Sequence, residues 1–254
     1  MKITLLGTGT SQGVPVIACH CEVCKSENLK DKRLRSSVMI EVDNQTFVID
    51  TGPDFRQQML REKVEKVDAV LFTHHHKDHV AGMDDIRAFN YRWRKNMQLY
   101  CTNLTEAALR KEFPYVFSKE KYPGIPEVEL NIIKNKSFKI QDTTIIPIEA
   151  QHYVMPIFGF RIKNFVYLTD VSAISDKEKE KMKGADLIIL DALRKKKHIS
   201  HFNLEQALAL LEELNPKKAL LTHISHYMGL HDDVNNTLPH NIKLAYDGQQ
   251  IILS

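Results

Sequence analysis

No run of about 18 apolar residues occurs in the 254-residue chain, so no helix is expected to cross a membrane. The opening residues, Met1-Lys-Ile-Thr-Leu-Leu-Gly, lack the long apolar core and small-residue cleavage site of a secretory signal, and a cytoplasmic protein is the expectation. Low-complexity segments and short-period repeats are also lacking. A large excess of one sign of charge is lacking: the formal net charge is +3, which by itself makes no case for nucleic acid as a partner. Cysteine is sparse, with four in all, yet three fall between Cys19 and Cys24. Without an export signal, that crowding favours metal binding over disulfides. What is present is 43% hydrophobic and 26% charged, enough apolar residues for a real core. Residues 114–130 carry three prolines and a glycine and could pass for a linker. No new core starts after them, so residues 1–254 read as one domain.

The chain is organised around Ala69-Val-Leu-Phe-Thr-His74-His-His76-Lys-Asp78-His79. Val70 to Thr73 reads as a buried strand. Three histidines, an aspartate and a fourth histidine follow at once, and such groups are costly to bury without partners. Neutral imidazole and carboxylate are ligands of zinc, manganese and iron. On extended backbone His74 and His76 point the same way. Asp78 and His79, being adjacent, diverge and are free to reach a second ion. A solvated histidine-rich loop is the plain alternative, and the position directly after an apolar strand speaks against it.

The same pattern, a short apolar run ending in a metal-type residue, recurs along the chain. Thr46-Phe-Val-Ile ends at Asp50, and Val70-Leu-Phe-Thr at His74. Ile145 to Gln151 ends at His152, and Phe165-Val-Tyr-Leu-Thr at Asp170. Leu187-Ile-Ile-Leu ends at Asp191, and Ala219-Leu-Leu-Thr at His223. Six strand ends carrying such residues imply a site along one rim of a sheet. Asp50 and Asp191 read as hydrogen-bonded supports rather than direct ligands.

Further strands are expected at residues 2–6, in a hairpin over 38–49, near Leu99, over 138–148 and over 158–162. Helices are expected over 54–64, 82–94, 105–113 with Thr105 as N-cap, and 177–183. Asn203-Leu-Glu-Gln206 resembles a capping box opening a helix to Leu214, which puts His201 at a helix entrance and not on a buried face. The last residues suggest a hairpin on the Asp247-Gly turn.

Four features keep two readings each. Gly7-Thr-Gly9-Thr-Ser-Gln-Gly13 lacks dinucleotide spacing. It is either a turn that lets N–H groups approach an anion or a plain tight turn. Arg194-Lys-Lys-Lys197, beside His198 and His201, is either a phosphate attractor or a solvated basic loop. Cys19-His-Cys21-Glu-Val-Cys24 is either a set of free thiols or a metal clip one ligand short of four. Arg87, Arg92 and Arg94 are either surface arginines or contacts for an anionic substrate, and Arg87 is the candidate because it lies nearest the histidines.

His74, His76, Asp78 and His79 resemble the signature of the metallo-β-lactamase superfamily of dinuclear metallohydrolases. The likeness extends over nearly the whole chain. It looks closest to the branch holding the phosphoribosyl 1,2-cyclic phosphate phosphodiesterase of phosphonate breakdown, with ribonuclease Z as a neighbour. The resemblance implies an α/β fold, an αββα sandwich of two mixed sheets flanked by helices. It implies that His74, His76 and His152 hold one divalent ion, that Asp78, His79 and His223 hold the other, and that Asp170 bridges. Zinc or manganese in such a pair shares a water and lowers its pKa toward about 7. Asp78 then counts among the catalytic residues as well as the ligands, and His201 matches the histidine that protonates the leaving group. Cys19, Cys21 and Cys24 match a structural zinc element closed by a distant histidine, here His226. The activity implied is hydrolysis of a small, cyclic phosphodiester, with a homodimer compatible and no membrane. A ribonuclease Z-like endonuclease, a hydrolase of another ester or lactam, and a non-catalytic metal-binding module are the rivals.

Overall fold

A computed structural model describes residues 1–120 and 122–253. Two seven-stranded sheets carry the chain. The first is built from β1 (Lys2–Gly7), β2 (Ser37–Val42), β3 (Gln45–Ile49), β4 (Ala69–Leu71), β5 (Met97–Cys101) and β6 (Val128–Ile132). The second holds β7 (Phe138–Ile140), β8 (Thr143–His152), β9 (Met155–Ile162), β10 (Phe165–Leu168), β11 (Leu187–Asp191), β12 (Lys218–Thr222) and β13 (Ile242–Leu244). The last strand, β14 (Gln250–Ile252), returns to the first sheet beside β1. Each sheet has three antiparallel pairings followed by three parallel ones. The two halves thus repeat one plan.

Side chains alternate across each strand, and this sorts the apolar residues into layers. Ala69 and Leu71 of β4 face Phe160, Tyr167 and Ile189 between the sheets. Val70 faces the other way, into a layer with Phe55 of helix Phe55–Arg61, Phe89 of helix Arg87–Trp93 and Leu109 of helix Asn103–Glu112. On the second sheet Val166, Ile188 and Leu221 pack under helix Leu204–Leu214. That helix turns Ala207, Leu210, Leu211 and Leu214 inward, at the spacing of one helical face. Truncating Leu211 to alanine there would cost about 2–5 kcal/mol. The result is an αββα sandwich, the fold expected.

Local expectations hold in part. The 38–49 hairpin forms, and its turn residues Asp43 and Asn44 both take left-handed φ of 50° and 60°. Asn203 and Gln206 make the reciprocal capping box. Thr102, not Thr105, caps the helix Asn103–Glu112, accepting from the Thr105 N–H. The helix expected over 54–64 is confined to Phe55–Arg61, and that over 177–183 to Asp176–Glu180. Residues 82–94 split into a 3₁₀ turn at Met83–Ile86 and an α-helix at Arg87–Trp93, stopped by Arg94 at φ 51°. The terminal hairpin does not exist. Asp247-Gly is a turn, but its two arms join different sheets. The Asp247 carboxylate accepts from Thr8 Oγ1 and the Leu34 N–H, which holds the crossover down. A turn signal fixes a change of direction and leaves the pairing partner open.

Candidate dinuclear metal site

The expected strand ends meet at one rim, and three of their residues sit in left-handed backbone: Asp50 at φ 63°, Asp170 at 59° and His223 at 57°. A non-glycine residue held there costs roughly 1–2 kcal/mol. Such strain persists where surrounding structure over-determines it. Here it turns each side chain out of its strand and toward the rim.

Two groups of donors converge. The ligand atoms of His74, His76 and His152 lie within 4.8 Å of one another, and so do those of Asp78, His79, Asp170 and His223. His79 Nε2 is 3.1 Å from Asp78 Oδ2 and 3.2 Å from Asp170 Oδ2. The expectation that Asp78 and His79 diverge fails. They lie on a short helix, Lys77–Val80, where neighbours are about 100° apart, so both reach one point. Asp170 also groups with His152 and His201, so one carboxylate spans both clusters.

Three of the imidazoles, those of His79, His152 and His223, have a partner outside the cluster. His79 Nδ1 donates to Asp50 Oδ2 at 2.7 Å, while Asp50 also accepts from the Thr73 N–H and hydroxyl. His152 Nδ1 donates to the Ser200 carbonyl at 2.7 Å. His223 Nδ1 lies 3.2 Å from Ser36 Oγ and 3.2 Å from Asp170 Oδ2. These bonds leave Nε2 of His79 and His152 facing the cluster as a lone-pair donor. The Nε2 atoms of both His74 and His79 are buried and have no hydrogen-bond partner. Buried polar atoms without partners are rare, and a cation is what an imidazole lone pair in a ring of carboxylates suits. The residues therefore fit a pair of divalent ions.

Electrostatics agree. Burial and the neighbouring His79 hold His74 well below the ordinary histidine range, so it is neutral. Burial works against a charge on His79 too, but Asp170, Asp78 and Asp50 outweigh it and push its pKa well up. The carboxylates around His79 thus favour positive charge at this point.

His201 is buried, at 9% exposure. The reading of it as a helix-entrance residue off any buried face is corrected: it precedes the N-cap Asn203 but points inward. Its Nδ1 is 3.3 Å from Asp191 Oδ2, and its ring lies 4.7 Å from His152 and 4.9 Å from His223. Burial opposes its protonation, yet Asp191 and Asp170 raise its pKa to about 9. The half-exposed Arg87 guanidinium pairs with Asp84 at 3.2 Å. The glycine-rich turn is a packing device: the N–H groups of Gly9 and Thr10 already bond Leu34 and Ile224 carbonyls. A Cβ on Gly7 would fall 1.9 Å from the Arg35 carbonyl oxygen.

Cys19, Cys21, Cys24 and His226 also meet, the three sulfurs standing 3.3, 3.3 and 3.5 Å from His226 Nδ1. Three thiols and one imidazole make a closed tetrahedral donor set for zinc. Sequence reading missed the supports Ser36 and Ser200. A serine one residue from a strand end, or a backbone carbonyl, carries no pattern that would mark it.

A β-lactamase superfamily domain matches residues 45–224. The chain is 39% identical over its full length to an octanoyltransferase of Porphyromonas gingivalis, spanning 52% of that protein, so it covers about half the length of that curated relative. It is 21% identical over its full length to a coenzyme PQQ synthesis protein B of Methylococcus capsulatus, covering all of that protein. A solved diphosphatase of the PhnP family shares 39% identity, with a TM-score of 0.93 over 98% of this chain and 96% of that one. Zinc-bound PqqB from Methylobacterium extorquens superposes with a TM-score of 0.81 at 18% identity, over the whole of both chains. The human short-form tRNase Z does so at 0.72 and 18%, also over the whole of both. The last two likenesses are of fold.

Proposed function

The chain belongs to the metallo-β-lactamase superfamily of hydrolases, and on that footing we propose that it is a dinuclear-metal phosphodiesterase acting on a small, cyclic phosphodiester. One observation supports this most: His201, outside the seven candidate ligands, lies against both donor groups with Asp191 behind it. Two divalent ions held by His74, His76, His152, Asp78, His79, His223 and Asp170 would supply an activated water and draw charge from the phosphoryl oxygens. The protein's own residues do the rest. Asp191 fixes the His201 ring through Nδ1, which leaves Nε2 to face the leaving oxygen. As the phosphorus–oxygen bond breaks, the proton on Nε2 passes to that oxygen, so an alkoxide never has to leave unprotonated. A sugar hydroxyl is such a leaving group. A lactam or thioester hydrolase has less need of an acid in this place.

The cysteine clip would hold one zinc as a structural ion, because it presents four donors and no open position. A second reading is hydrolysis of a diphosphate, favoured by the likeness to the PhnP-family diphosphatase. The two are separated by a substrate panel: a ribose cyclic phosphate, a nucleoside diphosphate, bis-p-nitrophenyl phosphate, precursor transfer RNA and nitrocefin. The highest kcat/KM is expected on the cyclic phosphate. Preference for the diphosphate establishes the second reading, and preference for precursor transfer RNA or nitrocefin overturns both.

A further inference from the structure

The loop before His201 holds another histidine, which the proposed chemistry leaves without a task. His198 Nδ1 accepts from the Ser200 N–H at 3.3 Å and from Ser200 Oγ at 3.1 Å. The Ser200 carbonyl in turn accepts from His152 Nδ1. The residue bonded to that carbonyl carbon is His201, whose ring lies 5.3 Å from the His198 ring. A peptide unit is planar, so the carbonyl that aims His152 and the nitrogen that begins His201 turn together. If the plane rotates, His152 loses its partner and His201 swings away from Asp191.

The rest of the loop gives this plane little support. Downstream, Phe202 is tied by its N–H to the Val171 carbonyl and by its carbonyl to the Leu193 N–H. Upstream, the Arg194 guanidinium donates to the Lys196 and Lys197 carbonyls. Between these anchors Ile199 is 68% exposed, so apolar packing does not hold it. Among the described residues, the side chain bonded to the Ser200 N–H and hydroxyl is His198.

We propose that His198 is a positioning residue that holds Ser200, through the Ile199–Ser200 peptide N–H and the Ser200 hydroxyl, and so fixes the Cα from which the Ser200–His201 plane departs, setting the aim of His152 and of His201 together. The His152 half stands on geometry alone; the His201 half rests on the phosphodiesterase reading above.

The test compares His198→Ala with His198→Asn in the full chain, since the asparagine Oδ1 can accept where Nδ1 does. Two readouts are needed: zinc affinity of the rim by chelator competition, and the ratio of rates on ribose cyclic phosphate and bis-p-nitrophenyl phosphate. Removing a direct outer partner of a ligand typically weakens metal binding about 10–100-fold. His198 acts one bond further out, so a loss near the lower end, roughly 10-fold, is expected in the alanine variant, with a similar fall in the rate ratio. Asparagine should restore most of both. Long-range proton–nitrogen spectra of the metal-free protein give a third readout, because the His152 Nδ1–H signal should broaden or shift in His198→Ala alone. Unchanged affinity and unchanged ratio in His198→Ala overturn the proposal. An asparagine variant as poor as alanine overturns it too, because ring bulk would then be what matters. Weaker affinity with an unchanged ratio keeps the hold on His152 and overturns the hold on His201, while the acid role of His201 is decided separately by His201→Ala.

Discussion

The rim cluster and the cysteine clip both gather metal-type donors, yet they are built in opposite ways. The rim takes four donors from the segment after β4 and one each from the end of β8 and from just past β10 and β12, so its geometry is set by the register of two sheets. Its histidines are mostly buried and are aimed by bonds to Asp50, Ser200 and Ser36. The clip takes three donors from six consecutive residues and one from the loop after β12. Cys21 is exposed, and a bond from the Cys24 N–H lowers its thiol to about 6, while burial pushes Cys24 up to about 11. The contrast is one of purpose. A site that must leave room for water and substrate needs a scaffold to hold its donors apart from solvent and in place. A site that only joins two loops can close on itself with four donors.

Removing the residue shared by both rim groups should break that comparison most severely. Asp170→Ala is expected to lose both ions or nearly so, and activity with them. Elemental analysis after dialysis checks this, with clip zinc remaining at one per chain. Full rim occupancy would place the bridge elsewhere, with Asp191 the first suspect.

Next in size is His201, the rim residue that should not behave as a ligand. His201→Ala should slow hydrolysis of a ribose cyclic phosphate roughly 10²–10⁴-fold, the usual share of a general acid. Bis-p-nitrophenyl phosphate should suffer much less, since p-nitrophenolate leaves without a proton. Rim metal content should stay unchanged. Equal losses on both substrates would mean that His201 binds or orients substrate. Lost metal would make it a ligand, an outcome its place beside His152 and Asp170 makes worth checking.

Asp50→Asn should have a smaller effect again. It keeps the shape that accepts from Thr73 but weakens the grip on His79 Nδ1. Rim affinity should drop about 10–100-fold, with activity restored by excess metal. A variant that excess zinc cannot rescue would assign Asp50 more than an aiming role.

Legibility in the sequence follows the same division. The rim could be read because His74, His152, Asp170 and His223 each end an apolar run, so strand periodicity announced its place before any contact was known. The layers were legible for the same reason: alternation at Ala69, Val70 and Leu71 survives in the fold. What stayed hidden depends on tertiary contact. Nothing near Asp247 says that its two arms enter different sheets, because the fixing partners, Thr8 and Leu34, are more than 200 residues away. Arg87 was chosen by closeness in sequence to the histidines, and its partner in the fold is Asp84, three residues before it. Buried His201 looked like a loop residue because the polar capping box after it gives no hint of the inward turn. Ser200 acts through its backbone carbonyl, which no residue identity encodes.

The clip should be the mildest loss, and its test sharpens the comparison. A chelator of moderate strength is expected to strip the rim first, since its imidazoles and carboxylates must bind without thiolate. Three thiolates hold zinc more tightly, so one zinc per chain should resist until a stronger chelator or a thiol oxidant is added. A Cys21→Ser, Cys24→Ser variant should lose that zinc while keeping rim occupancy near normal. Because the clip joins residues 19–24 to His226, and His226 follows His223 by three positions, its loss should loosen the β12 loop rather than the core. A fall in Tm of about 5–10 °C is expected, equivalent to roughly 2–3 kcal/mol in a chain of this size, with activity reduced only a few-fold. Unchanged zinc content in the double variant would sink the clip. Collapse of rim binding along with it would show that the two sites are one unit, and that the clip's real work is to place His223.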